Sequence, residues 1–182
     1  MNLNNMYFHG LAGTIDLANG EKAILETSLK QLEDIFNAKG IYSRNKLIEF
    51  NIQYQHKPVE NGRDFISICV ANPSEEEFSG KNEGLESAFI NYVYNSRIAF
   101  LIDKNIESKY EFRNPNGTGM IPGERQVKDQ IGIDDFLGIL VTFQDENIRE
   151  EAITKIKELM EKYKVELPIY DKDFNEIIIP KL

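Results

Sequence analysis

A chain of 182 residues with 41% hydrophobic residues, 11 Phe and 8 Tyr carries enough apolar surface for one core and too little length for two, so a single domain over residues 1–182 is expected. Lys and Arg number 21 against 30 Asp and Glu, a formal charge of -9, and a field of that sign repels polyphosphate and speaks against broad nucleic-acid binding. The one cysteine, Cys69, excludes an internal disulfide and, within Phe65-Ile-Ser-Ile-Cys-Val70, reads as a small buried residue.

In chain order, Tyr7-Phe8-His9-Gly10 reads as a short strand, followed by a Gly- and Asn-containing connector through Gly20. Ser28 with Gln31 three residues later makes a capping-box start, and Leu29, Leu32, Ile35 and Phe36 give the helix one apolar face, with Gly40 as its stop. Ile41 to Arg44 resumes as strand or turn, and Leu47 to Tyr54 fits more than one assignment. Phe65 to Val70 is a buried strand closed by Asn72-Pro73, and Ser74 to Gly84, polar and acidic, reads as a loop. From Leu85 the residues Ala88, Phe89, Tyr92 and Val93 recur at helical spacing, and Ile98 to Ile102 follows as a strand ending at Asp103.

Asn114 to Gly123, rich in Gly, Pro and Asn, predicts a loop, with Gln126 to Gln130 and Leu137 to Phe143 as strands after it. Asp145 caps the longest helix, Asn147 to Lys164, whose Ile148, Ala152, Ile156, Leu159 and Tyr163 keep one stripe. Leu167 to Tyr170, a turn at Asp171 to Asn175 and Ile177 to Pro180 suggest a terminal strand pair. Strands with interrupting helices and no regular repeat give an α+β class. No run of about 18 apolar residues occurs and no basic region followed by an apolar one opens the chain, so no membrane association and a cytoplasmic setting are expected.

Familiar chemistry is mostly absent. His9, His56 and Cys69 are too few and too scattered for a structural zinc site or a Cys-His pair, so no metal is expected. The phosphate loop G-x-x-x-x-G-K-[ST], the dinucleotide fingerprint G-x-G-x-x-G after a strand and the nucleophile elbow G-x-S-x-G do not occur.

What remains is an order of features. A strand carries His9-Gly10, a helix with Leu32 and Ile35 ends in Gly40-Ile-Tyr-Ser-Arg44, a strand holds Ser67-Ile-Cys-Val70, and Glu124 precedes Val127, Ile131, Gly138, Ile139 and Val141. In that order the chain resembles the ADP-ribosyltransferase superfamily, and within it the small bacterial branch of DNA-modifying toxins paired with antitoxins. The resemblance implies two small, mostly antiparallel sheets with flanking helices, forming a split cleft for NAD as substrate. It implies Glu124 as the catalytic carboxylate and His9, Gly10, Tyr42, Arg44 and Ser67 as the NAD-binding residues. The implied partners are a macromolecular acceptor, protein or nucleic acid, and a cognate antitoxin or inhibitor.

Breaking the nicotinamide–ribose bond builds positive charge on the ribose, so a fixed carboxylate stabilises the transition state more than the ground state, and it can also serve the acceptor as general base. Under the resemblance His9 holds the adenine-side ribose, Arg44 pairs with the pyrophosphate and Tyr42 stacks on nicotinamide. Each residue also has an ordinary reading: His9 packed in its strand, Tyr42 in the core, Arg44 paired with a surface carboxylate. Glu111, in Tyr110-Glu-Phe-Arg113, is the rival carboxylate, and Arg125 reads as a solvated neighbour or a loop contact. Pro122-Gly123 is read as the turn that delivers Glu124 to the cleft edge, with Val127 and Ile131 anchoring its strand and Gly138-Ile139 starting the returning one. The alternative function is a non-catalytic acidic α+β interaction or inhibitor domain, suggested by the net charge and by Ser74-Glu-Glu-Glu77.

Overall fold

The computed structural model describes residues 2–11, 20–54, 64–78, 86–113 and 121–177. In chain order these hold β1 (Met6–Gly10), α1 (Gly20–Ala38), β2 (Gly40–Tyr42), α2 (Arg44–Glu49), β3 (Phe65–Cys69), α3 (Glu75–Phe78), a π-helical turn (Ile90–Tyr94), β4 (Ile98–Asp103), α4 (Ile106–Lys109), β5 (Phe112–Arg113), β6 (Glu124–Lys128), β7 (Gln130–Gly132), β8 (Phe136–Val141), α5 (Glu146–Tyr163) and β9 (Ile169–Tyr170). Seven strands form one sheet in the order β5-β6-β3-β1-β4-β8-β9, and β2 pairs with β7 in a second, two-stranded sheet. All pairs are antiparallel except β8 with β9. The class is α+β, with two mostly antiparallel sheets and flanking helices, one sheet being much the larger.

The alternation of β1, β3, β4 and β6 sorts their side chains onto two faces. On one face Tyr7, Ile66, Ile68, Phe100, Ile102, Val127 and Ile139 pack under α1 and α5, which supply Ile24, Leu32, Phe36, Ala152 and Ile156. Phe100 lies at the middle, stacked on Phe136 with centroids 4.4 Å apart, and burying a ring of this kind stabilises by about 1.5–3 kcal/mol. The other face has a smaller cluster, Met6, Phe8, Cys69, Leu101 and Leu140, covered by Ala88, Phe89 and Val93. Phe8 meets Phe89 edge to face at 4.7 Å.

Most expected strands and the long helix are found where their apolar patterns put them, and Asp145 caps α5 by accepting from the Asn147 and Ile148 amides. Three assignments change. The Ser28-x-x-Gln31 pattern does not open α1, which begins at Gly20; Ile24 and Leu25 extend the buried stripe backwards and Ser28 is itself buried inside the helix. The single strand expected over 126–130 is two strands in different sheets, because Asp129 takes a left-handed φ of 67° and turns the chain out of the large sheet. Within the expected acidic loop, Glu75–Phe78 is a helical turn; residues 79–84 lie outside the described residues, as do the connector 12–19, His56, residues 114–120 of the predicted loop and residues 178–180 of the terminal pair. No described helix is long and apolar enough to cross a membrane.

Candidate functional site

The large sheet is almost divided at its centre. β3 pairs with β6 through five residues and β1 with β4 through five, whereas β1 meets β3 at one pair, Phe8 with Cys69. Beyond that pair the two strands diverge, and the ladder hydrogen bonds of a continuous sheet are not available to the backbone there. His9 occupies the opening: its Nδ1 lies 2.8 Å from the Ser67 carbonyl oxygen, a side-chain bond in place of a ladder bond. A carbonyl only accepts, so Nδ1 carries the proton. Burial lowers the imidazole pKa below its usual range, against the opposing pull of the Ser67 bond. The ring is therefore neutral near pH 7, with Nε2 left as an acceptor.

Glu124 begins β6 opposite Cys69 and next to the opening. The Pro122-Gly123 turn delivers it, Gly123 at φ +85°, with the Glu124 amide donating to the Ile121 carbonyl at 3.1 Å. The side chain is 7% exposed, and its Oε1 accepts from Ser67 Oγ at 2.7 Å. Ser67 itself is exposed although it sits on an inner strand, between the buried Ile66 and Ile68. Ser67 therefore opens to solvent beside the buried Glu124 carboxylate that it holds. The Ser67 hydrogen bond contributes about 0.5–1.5 kcal/mol and fixes one carboxylate oxygen.

The wall on that side is the segment 88–96. Gly10 ends β1 directly beneath it, where an added Cβ would lie 1.3 Å from the Tyr92 carbonyl oxygen. Glycine is required there by that close approach. The π-turn sets the Tyr92 carbonyl over Gly10, and Tyr92 has its phenol pushed up to about 12, first by burial and then by its neighbours Glu124 and Cys69. Cys69 is fully buried, and burial, followed by Glu124, pushes its thiol up, which makes it an inert packing residue as expected.

Ser67 is the link at the point where β1 leaves β3: its hydroxyl holds Glu124, its carbonyl oxygen meets His9 Nδ1, and Gly10 follows His9 at the end of β1. Tyr42 and Arg44 lie elsewhere. Tyr42 ends β2 with its ring edge-on to Phe50 at 5.9 Å and its hydroxyl donating to the Ala38 carbonyl at 3.4 Å. Arg44 is the first residue of α2, after the cap Ser43. The Ser43 amide donates to the Asp129 carbonyl at 2.7 Å, and Asp129 in turn donates to Asp64, which places this corner at the opposite end of β3 and β6 from Glu124. Five residues of extended chain, roughly 17 Å, separate the Glu124 and Asp129 backbones. A ligand touching both Glu124 and Arg44 has to run along the strands rather than across them. The rival carboxylate Glu111 is also at that far end, 63% exposed and paired with Lys128 at 2.8 Å.

Two residues near Glu124 were not singled out by the sequence. Tyr92 was legible only as one position of a helical stripe. Glu77, 48 residues before Arg125, is its partner at 2.6 Å, so Arg125 is a loop contact. A local signal for Glu77 existed, since Ser74-x-x-Glu77 is a capping box, and the Ser74 amide does donate to Glu77 Oε2 at 2.9 Å. Among the described residues no cluster of His, Cys, Asp and Glu is arranged to hold a metal ion.

No protein-family model matches the chain, and no curated protein is similar to it in sequence. A solved structure of similar course is that of DarT from Thermus sp. 2.9 in complex with carba-NAD+, at 10% identity over 96% of this chain and 98% of that chain, with a TM-score of 0.48.

Proposed function

We propose that the protein binds NAD in the opening between β1 and β3 and transfers its ADP-ribose to a macromolecular acceptor, as the likeness to the ADP-ribosyltransferase superfamily implies. The observation that carries the reading is the placement of Glu124: buried and oriented by the exposed Ser67, whose carbonyl oxygen meets the His9 imidazole. A buried carboxylate against an open cleft is costly to keep unless its charge is used, and departure of nicotinamide creates the positive ribose that uses it.

In this reading the free Glu124 oxygen accepts from a ribose hydroxyl and stabilises the oxocarbenium-like ribose as the bond to nicotinamide breaks. Ser67 holds the carboxylate in one orientation, so that no reorganisation is needed as charge develops. His9 Nε2, the acceptor left by the Nδ1–H bond to Ser67, accepts a hydrogen bond from a hydroxyl of the adenine-side ribose. Tyr92 gives the nicotinamide side of the cleft an aromatic wall. Arg44 serves the pyrophosphate only if NAD lies lengthwise along β3 and β6. Glu124 then takes the proton of the acceptor nucleophile, and the nucleophile closes on the ribose. The net charge of -9 favours a protein acceptor over a polyanion.

Nicotinamide release from NAD by the wild-type chain and by Glu124→Gln tests the proposal, with NAD binding followed separately. Turnover lost while binding is retained supports it. No NAD-dependent thermal shift of the wild type at millimolar NAD sinks it.

A further inference from the structure

A carboxylate outside this chemistry is tied to the turn that carries Glu124. Glu77, in α3, forms a partly buried ion pair with Arg125, the two side chains 21% and 17% exposed. Glu77 Oε1 accepts from the Arg125 guanidinium at 2.6 Å and from the Gly123 amide at 3.2 Å. Its Oε2 accepts from the Ser74 amide at 2.9 Å and from Ser74 Oγ at 3.3 Å. The same Arg125 Nη1 donates to the Glu124 carbonyl at 2.8 Å. One ion pair therefore holds the amide at the heart of the turn, Gly123 N–H, and the carbonyl of Glu124 itself.

The turn needs such tethers. Gly123 is left-handed, and a glycine there has the widest conformational freedom of any residue. Val70, just after β3, and Ala88, in the helical turn before Ile90, contribute two further bonds, from the Val70 amide to the Gly123 carbonyl at 2.9 Å and from the Ala88 amide to the Pro122 carbonyl at 2.8 Å. Those two fix the carbonyls of the turn. The Glu77 pair reaches the Gly123 amide within the turn and the Glu124 carbonyl just after it, and so braces the backbone on which the Glu124 side chain stands.

We propose that Glu77 is a positioning residue: with Arg125 it locks the Pro122–Gly123 turn and so sets the direction in which Glu124 presents its carboxylate to the NAD ribose. This rests on the NAD reading above. The pair is too near the surface to add much to folding, and its effect falls on the chemical step instead. Displacing a reacting group by about 1 Å lowers kcat roughly ten- to a hundredfold. NAD contacts made by other residues leave KM within about twofold of wild type.

The test uses the full chain and reads NAD hydrolysis together with hydrogen exchange of the Gly123 and Arg125 amides. For Glu77→Gln and for Arg125→Gln, kcat should fall while KM holds, and exchange at the turn should quicken. Arg125→Lys, which keeps a charged donor between Glu77 and the Glu124 carbonyl, should recover most of the rate. The double variant Glu77→Gln with Arg125→Gln should be no slower than either single change, because both act through one contact. An active wild type whose Glu77→Gln variant keeps its kcat overturns the inference alone. So does a fall in kcat without faster exchange at the turn, which would place Glu77 on the substrate. A wild type that turns over no NAD overturns the proposed function and this inference with it.

Discussion

Gly10→Ala puts the placement of the cleft wall to a direct test. The Cβ of an alanine would stand 1.3 Å from the Tyr92 carbonyl oxygen, 2.4 Å from the Tyr92 carbonyl carbon and 2.6 Å from Ser96 Oγ. Ordinary contact begins near 3.4 Å, so either the end of β1 or the segment 88–96 must retreat by about 2 Å. The carbonyl is not free to turn aside: it accepts from the Ser96 hydroxyl, and the π-turn is closed by the Asn95 amide on the Ile90 carbonyl at 3.1 Å. Retreat of the segment pulls Phe89 off Phe8 and opens the smaller core cluster. Forced overpacking of this kind costs about 3 kcal/mol or more. In a chain of this length that lowers Tm by roughly 6–12 °C. Gly20→Ala is the control, for Gly20 has a left-handed φ of +81° and nothing within 4 Å of its added Cβ, so its cost is backbone strain alone, about 1–2 kcal/mol. Thermal melts followed by circular dichroism read both variants. A Gly10→Ala melt no lower than that of Gly20→Ala would refute the close approach of Tyr92 to β1.

Ser67→Ala removes the hydrogen bond that orients Glu124, a loss of about 1.5 kcal/mol, or about tenfold in NAD turnover. Ser67→Thr, which keeps the hydroxyl, should stay near wild type, and equal rates for the alanine variant would show that Ser67 does not position the carboxylate. His9 has its pKa lowered chiefly by burial, so the unfolded chain takes up a proton that the folded chain refuses. Its stability is therefore full above the unfolded value of about 6.5 and falls as pH drops through the lower folded value. Urea unfolding of His9→Gln should show a shallower loss over that window, and identical slopes would contradict the burial of the ring. Asp145→Ala deletes the cap of α5, worth about 1 kcal/mol, and should lower Tm by roughly 2–4 °C; an unchanged melt would mean that the two amide bonds are not kept in solution.

What could be read from the sequence were the elements whose signals are local. Phe65 to Cys69 and Ile98 to Asp103 are strands because their apolar runs are short and bounded, and α5 is a helix because its stripe and its cap agree. The start of α1 was hidden because the residue that tethers it acts at long range. Glu21 accepts from the Gln144 and Asp145 amides and pairs with Arg97, contacts with no sequence signature, while Ser28-x-x-Gln31 offered a false local one. The division of β6 from β7 hung on a single left-handed aspartate, which the continuous pattern of Val127 and Ile131 concealed. Glu124 and Ser67 could be named from order alone, yet the bond between them crosses 57 residues. That the large sheet opens between β1 and β3, leaving His9 to bridge the gap through its ring, is a property of strand divergence that no local pattern encodes. Tyr42 and Arg44 show the converse: neighbours in sequence order to the other residues of interest, they are held by the small sheet and the start of α2, at the far end of the strands.

The central claim is that Glu124 acts on NAD at the β1–β3 opening. The most direct measurement is a paired one on Glu124→Gln, NAD affinity by calorimetry and nicotinamide release by chromatography. An amide of the same shape keeps the Ser67 bond and removes the charge, so the account predicts affinity within about threefold of wild type and turnover down by roughly a hundredfold or more. Turnover equal to that of wild type, with affinity retained, would contradict it.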